Sequence, residues 1–270
     1  MPSSTAPLRL HFIADSPVAG LAVAQRRVES PLATVICVHG ALDRGGSFSR
    51  LARRLDSFDV VAYDRRGYQG SRDLQPIDLG HHVADLLALI DREVLGRPII
   101  LFGHSFGGVV TFCTAIEDPS RVTLLINYES PAPWILPRRN VHQPLTDDSR
   151  AEVERFFRRV VSDVAWDRLS EVQRESRRLD APALLSDITA VRREEAPFTL
   201  ANLRVPATYA FGTGAEEAAT YYRALSSAMH ALNPLVTPVE IPGAFHGAHL
   251  DHPRLLATLI EERWNACASA

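Results

Sequence analysis

The sequence predicts an α/β protein with a mostly parallel, eight-stranded sheet and helices on both of its faces. Short apolar, β-branched segments alternate with longer segments of helical periodicity along most of the 270 residues, a pattern typical of such sheets. One long stretch without a convincing strand interrupts the alternation and predicts a helical insertion. The composition, 46% hydrophobic and 23% charged, is ordinary for a globular protein.

The predicted strands are short, and helices separate most of them. The first two form an opening hairpin, and six core strands follow. The eight strands are expected at residues 8–14, 21–28, 34–38, 59–63, 98–102, 122–128, 207–211 and 236–241. Helices are expected near residues 47–55, 79–94, 107–117, 216–232 and 253–266.

The insertion is expected at residues 133–200. Prolines stand near both of its ends, at Pro133 and Pro197, and charged helical patterns occur at 149–164 and 170–179. A helical cap between two core strands explains this stretch better than a separate second domain. The core then consists of residues 1–132 and 201–270.

Charge and hydropathy exclude several kinds of partner. Lys and Arg number 29 against 32 Asp and Glu, a net charge of −3, which predicts no general attraction to nucleic acid or to anionic membranes. No apolar run approaches the roughly 20 residues of a membrane-spanning helix. The amino terminus lacks the pattern of a secretory signal, so the expected location is the cytoplasm. A homo-oligomer remains open.

The strongest chemical motif is Gly-His-Ser-Phe-Gly at residues 103–107. It follows an apolar strand directly and opens a helical segment, the setting in which G-x-S-x-G forms a nucleophile elbow. The two glycines are needed because the serine turn is strained and its neighbours approach other elements closely. Ser105 is therefore the predicted nucleophile.

A second motif, His39-Gly40-Ala41, ends the apolar strand expected beside the elbow. Acyl transfer needs backbone N–H groups placed where the oxyanion forms. The N–H groups of Ala41 and Phe106 are the predicted donors. The alternative is that His39-Gly40 is merely a tight turn.

The general base should come last in the chain. His246 lies on a loop between the last predicted strand and the last helix, in the pattern Pro-Gly-x-x-His. His249 and His252 are rivals. A metal site at His249 and His252 lacks a carboxylate at ligand spacing, so we expect no metal and no organic cofactor.

Together these motifs resemble the α/β-hydrolase superfamily over essentially the whole chain. The segment 63–71 is similar to the family's D-x-R-G-x-G-x-S loop, although Gln69 replaces a usual glycine. Tyr128-Glu129 after the sixth strand further resembles a bacterial subgroup of these hydrolases. The resemblance implies the fold and a Ser-His-acid triad, and it says little about the substrate.

The triad acid is the uncertain member. The family usually places an Asp after the seventh strand, where this chain has Glu216 and Glu217 but no Asp. Some hydrolases of this fold supply the acid after the sixth strand, where Glu129 stands. An unpaired carboxylate at the end of an apolar strand would be costly to bury, whereas acids in a first helical turn commonly serve the helix dipole. Glu129 is the preferred acid and Glu216 the alternative.

The sequence predicts a serine hydrolase that cleaves a small-molecule ester, as a carboxylesterase does, through an acyl-enzyme on Ser105. Thioesterase, lactonase and carbon–carbon bond hydrolase activities use the same triad and remain alternatives. The alternative of another class is a non-catalytic ligand-binding protein that has kept the fold. The expected partner is a small acyl substrate.

Overall fold

The structure is a computed structural model that describes residues 9–12, 18–93, 96–138, 145 and 147–269, with the side chains of residues 9–12 and 93 left aside. It contains one eight-stranded sheet in the order β1-β2-β4-β3-β5-β6-β7-β8. The strands are β1 (Arg9–Phe12), β2 (Ala22–Arg26), β3 (Ala33–Val38), β4 (Phe58–Tyr63), β5 (Ile99–His104), β6 (Leu124–Tyr128), β7 (Ala207–Gly212) and β8 (Val236–Ile241).

Only β2 runs against its neighbours, since it pairs antiparallel with both β1 and β4. Every other pairing is parallel. The predicted fold class is confirmed. The ends of two predicted elements, residues 8, 13 and 14 of the first strand and residue 94 of the second helix, lie outside the described residues.

Successive side chains of the central strands alternate between two buried clusters, one on each face of the sheet. On β3, Ile36 and Val38 join the cluster formed with α2 (Leu79–Glu93) and α3 (Phe106–Glu117). Val35 and Cys37 join the opposite cluster. Because a parallel sheet is covered on both faces, its strands are apolar throughout rather than alternately polar.

The remaining core helices are α1 (Ser49–Ala52), α8 (Glu216–Leu232), α9 (Ala248–Asp251) and α10 (Pro253–Ala268). Near residues 47–55, where one helix is expected, a 3₁₀ turn, Gly45–Phe48, precedes a single short turn of α-helix. Gly45 causes this, because its N–H is held by Asp64 Oδ1 at 2.8 Å and a Cβ there would lie 2.8 Å from the Tyr63 nitrogen. The chain is thus held against β4 before the helix can start.

Among the residues described between β6 and β7 there are four α-helices: α4 (Ser149–Val160), α5 (Asp163–Asp167), α6 (Glu171–Arg178) and α7 (Ala181–Arg192). The charged helical pattern at 149–164 is divided between α4 and α5. Ser162 is extended and its side chain accepts a hydrogen bond from the Ala165 N–H, so it caps a new helix. The change of direction buries Trp166, whose ring centroid is 5.3 Å from that of Phe157.

These four helices pack on loops at the carboxyl ends of the core strands. Leu42, after β3, and Tyr68, after β4, belong to the same buried cluster as Phe157 and Trp166. The inserted helices therefore cover the edge of the sheet at which the predicted motifs lie. The limits of the cap at 133 and 200 stay a prediction.

Within the described part of the chain, no helix has both the length and the apolar character needed to cross a bilayer. The expected cytoplasmic location stays a prediction.

Candidate active site

Ser105 occupies the sharp turn between β5 and α3. Its backbone has φ 52° and ψ −126°, a conformation that costs a non-glycine residue strain and is concentrated at functional sites. Hydrogen bonds hold the turn: the Ser105 N–H donates to the Tyr128 carbonyl at 2.9 Å, and its carbonyl accepts from the Gly108 N–H at 2.9 Å. The serine thus stands at the amino end of α3, where the helix dipole favours negative charge.

The glycines of the motif are required by close packing. A Cβ at Gly103 would lie 2.3 Å from Asn127 Oδ1, and one at Gly107 would lie 2.1 Å from the Val38 carbonyl oxygen. Neither position has space for a side chain, so the turn lies directly against β3 and β6.

Strained residues concentrate around this turn. Besides Ser105, three non-glycine residues of the described chain have positive φ: Leu42 (54°), Gln69 (43°) and Glu129 (48°). Leu42 follows the His39-Gly40-Ala41 motif and Glu129 is the preferred acid. Gln69 stands where the resemblance expects glycine, and its positive φ explains that preference.

Glu129 and His246 are paired. The His246 Nδ1–H donates to Glu129 Oε2 at 2.6 Å, and Glu129 Oε1 accepts from the Gly212 N–H at 3.0 Å. The Glu129 side chain is 4% exposed and that of His246 is 26% exposed. A buried carboxylate that occupies Nδ1 leaves Nε2 unprotonated and free to act as a base.

Two further hydrogen bonds position the loop that carries His246. The His104 Nε2–H donates to the His246 carbonyl at 2.8 Å, and the Tyr128 hydroxyl donates to the Phe245 carbonyl at 2.8 Å. His104 precedes the predicted nucleophile and Tyr128 precedes the predicted acid, so hydrogen bonds connect the three segments that carry the predicted triad. In the described structure, no hydrogen bond joins Ser105 Oγ to His246, a contact that often tightens only when substrate is bound.

The His39-Gly40 turn lies against the nucleophile, because a Cβ at Gly40 would be 2.8 Å from Ser105 Cβ. The His39 ring stabilises the turn through two hydrogen bonds. Its Nε2 accepts the Arg65 N–H at 2.9 Å, so its proton is on Nδ1, which donates to the Gly40 carbonyl at 2.7 Å. Burial, reinforced by the Arg65 charge, lowers the pKa of His39 to about 3, so the ring is neutral. The turn is therefore held against the predicted nucleophile, and the oxyanion role of Ala41 stays a prediction.

The alternative acid takes no part in this pairing. Glu216 begins α8, is exposed, and its carboxylate lies 3.5 Å from the Thr220 hydroxyl. No hydrogen bond of the described residues joins Glu216 to His246, whose Nδ1 is already occupied.

The rival His249 lies in a neighbouring cluster with His104, which is also buried, and Asp43, which is partly exposed. His249 Nε2 is 3.2 Å from Asp43 Oδ2, and one ligand atom from each of the three residues can be chosen so that all lie within 4.8 Å of one another. Two ligands of one tetrahedral zinc ion at 2.0–2.1 Å lie roughly 3.4 Å apart, a spacing close to that of His249 and Asp43. This cluster is the candidate metal group within the described residues.

Sequence reasoning missed the buried charges beneath the site. Arg65 and Asp187 form an ion pair with Nη2 and Oδ2 2.6 Å apart and side chains 0% and 2% exposed. A signal was present: Asp187 is an acidic residue among apolar neighbours in a helical segment, where an acid is rarely buried without a partner.

The serine turn follows the fifth strand and the histidine loop follows the eighth, as in the α/β hydrolases as a class. The chain belongs to the alpha/beta hydrolase family, whose model matches residues 35–259. This confirms the resemblance to the superfamily found in the sequence.

Two curated relatives are lipases. Lipase LipV of Mycobacterium tuberculosis is 34% identical over 102 residues, 38% of this chain and 39% of that protein. Monoglyceride lipase of Homo sapiens is 34% identical over 97 residues, 33% of this chain and 32% of that protein. The chain thus spans about a third to two fifths of the length of these relatives.

A thermophilic esterase from Thermogutta terrifontis is similar in structure, with a TM-score of 0.67 at 19% identity, covering 97% of this chain and 99% of that one. At this identity the likeness shows the fold alone.

Proposed function

We propose that the protein is a serine hydrolase that cleaves a small-molecule carboxylic ester through an acyl-enzyme on Ser105. The observation that carries the proposal is the buried Glu129 paired with His246 at 2.6 Å, beside a serine in a strained strand–helix turn. The lipase and serine-hydrolase relatives favour esters among the carbonyl substrates.

In the proposed reaction, Ser105 Oγ attacks the ester carbonyl carbon while His246 Nε2 accepts its proton. Glu129 keeps the imidazole oriented and stabilises the imidazolium. The Ala41 and Phe106 N–H groups hold the oxyanion. His246 then gives the proton to the departing alcohol, and water, activated by the same ring, releases the acid.

The test is the intact mass after exposure to a fluorophosphonate, for wild type and Ser105→Ala. The proposal expects one covalent adduct on wild type and none on the variant. A well-folded wild type that gains no adduct and hydrolyses no p-nitrophenyl ester would contradict it and favour a ligand-binding protein. Thioesters and lactones, assayed in parallel, separate the alternatives that share the triad.

A further inference from the structure

Arg65 contacts both segments that supply the proposed oxyanion donors. Its Nε–H donates to the His39 carbonyl at 2.9 Å and Nη2 donates to the Gly40 carbonyl at 3.3 Å. The guanidinium carbon lies 4.9 Å from the centroid of the Phe106 ring, close enough for a cation–π contact. The buried Arg65 side chain thus contacts both the His39-Gly40 turn, which precedes Ala41, and the ring of Phe106.

The charge partner of Arg65 comes from the inserted helices. Asp187 on α7 receives Nη1 at 3.0 Å and Nη2 at 2.6 Å, one oxygen each, and the Tyr68 hydroxyl donates to it at 2.7 Å. Burial acts to raise the pKa of Asp187, but the Arg65 charge outweighs it and the net pKa falls to about 2. Asp187 is therefore ionised at neutral pH. The planar guanidinium of Arg65 binds both this carboxylate and the carbonyls of His39 and Gly40.

Peptide geometry links this pair to catalysis. The Gly40 carbonyl and the Ala41 N–H belong to one planar peptide unit, and in the trans form the two bonds point in opposite directions. Arg65 Nη2 and His39 Nδ1 both hold the Gly40 oxygen. Fixing that oxygen fixes the direction of the Ala41 N–H on the opposite side of the unit.

We infer that Asp187 is a positioning residue: from the inserted helices it fixes Arg65, and through Arg65 it aims the Ala41 N–H at the oxyanion. The inference rests on the proposed function. It makes the geometry of the oxyanion hole dependent on the Asp187 carboxylate that α7 supplies.

A second ion pair between the same regions provides a matched control. Asp180, just before α7, is 0% exposed and pairs with Arg72 at 2.7 Å. Its carboxylate also accepts from Gln69. No hydrogen bond of the described residues links Asp180 to His39 or Gly40. Asp180→Asn therefore weakens a buried core–cap pair without touching the oxyanion segments.

The experiment compares Asp187→Asn and Asp180→Asn in hydrolysis of p-nitrophenyl acetate and in inhibition by phenylboronic acid, which forms a tetrahedral adduct on an active serine. We expect Asp187→Asn to lower kcat by about 10- to 100-fold, since complete loss of one oxyanion donor costs about 10²–10³-fold. KM should change little. Boronic acid affinity should fall by a similar factor, because only the tetrahedral state uses the donor. Asp180→Asn should keep both values near wild type.

Because Asp187→Asn leaves Arg65 buried without its counter-charge, that variant could fail to fold. Arg65→Met/Asp187→Leu removes both charges, and apolar replacement of a buried pair is often neutral or stabilising. The Tyr68 hydroxyl loses its acceptor in this double variant, so we expect a folded protein with a modestly lower thermal midpoint that still shows the kcat and boronic acid losses.

Wild-type kcat in the double variant, or equal losses in Asp187→Asn and Asp180→Asn, would overturn the positioning role. Failure of wild type to react with a fluorophosphonate would instead overturn the proposed function itself. The two failures are thus distinguishable.

Discussion

Two histidine–carboxylate pairs lie next to each other in this fold and differ in which partner is buried. In the first, Glu129 is 4% exposed and His246 26%. In the second, Asp43 is 22% exposed and His249 only 3%. The His104 ring lies between them, 4.8 Å from the His246 ring and 4.4 Å from the His249 ring.

The difference shows what a general base requires beyond a carboxylate partner. A base must present its second nitrogen to the substrate, so the carboxylate has to be the buried member of the pair. His246 meets this requirement. His249 faces Phe48 and His104 instead, and its pairing with Asp43 connects the histidine loop to the chain after β3.

The largest expected effect separates the two histidines. His246→Ala should lower kcat for p-nitrophenyl acetate roughly 10⁴-fold or more, as loss of a triad histidine does, because the proposed acceptor of the Ser105 proton is removed. His249→Asn should stay far closer to wild type. Steady-state assays on both purified variants make the measurement, and a greater loss in His249→Asn would reverse the assignment of the base.

The next effect separates the two carboxylates. Glu129→Gln should lower kcat by about 10³–10⁴-fold, because an amide in place of the carboxylate favours the wrong imidazole tautomer. Asp43→Asn, its matched control, removes the carboxylate beside His249 and should cost much less. Comparable kcat values for Glu129→Gln and wild type would exclude Glu129 as the acid.

The pH dependence of the free energy of unfolding tests whether the buried imidazoles are neutral in the folded protein. Burial, with the Arg65 charge, lowers the pKa of His39 from 6.5 to about 3, and burial next to His249 lowers the pKa of His104 well below its usual value. Both rings are neutral when folded and gain protons on unfolding below pH 6.5. The unfolded state then binds more protons, so the free energy of unfolding decreases as pH falls.

For His39 alone, the loss between pH 7 and pH 5 should be about 2 kcal/mol. Urea unfolding at the two pH values measures it, and His39→Asn should show a smaller loss. The Arg65–Asp187 pair contributes nothing in this window, because the pKa of Asp187 falls from 3.8 to about 2 and its share is lost only below about pH 4. An identical pH response in His39→Asn would contradict this account.

The smallest expected effect is at the alternative acid. Glu216→Gln should leave kcat and KM unchanged, because the exposed carboxylate at the start of α8 has no bond to His246 within the described residues. The same p-nitrophenyl acetate assay measures both constants. A loss as large as that of Glu129→Gln would transfer the acid role to Glu216.

The sequence by itself determined the fold class, because apolar runs and helical periodicity are local properties that a parallel sheet imposes on every strand. It also determined the expected nucleophile, since the glycines at 103 and 107 are required by contacts that any elbow makes. The choice of Glu129 over Glu216 could only be weighed from burial cost, and both residues remained candidates for the acid.

Tertiary structure alone decided which groups meet. Glu129 and His246 are separated by 117 positions, and Arg65 and Asp187 by 122. No periodicity reports such contacts, because they depend on how loops at the strand ends and the inserted helices pack. The break at Ser162 combines a local signal, its N-cap hydrogen bond to the Ala165 N–H, with the burial of Trp166, and the second of these is visible only in the tertiary structure.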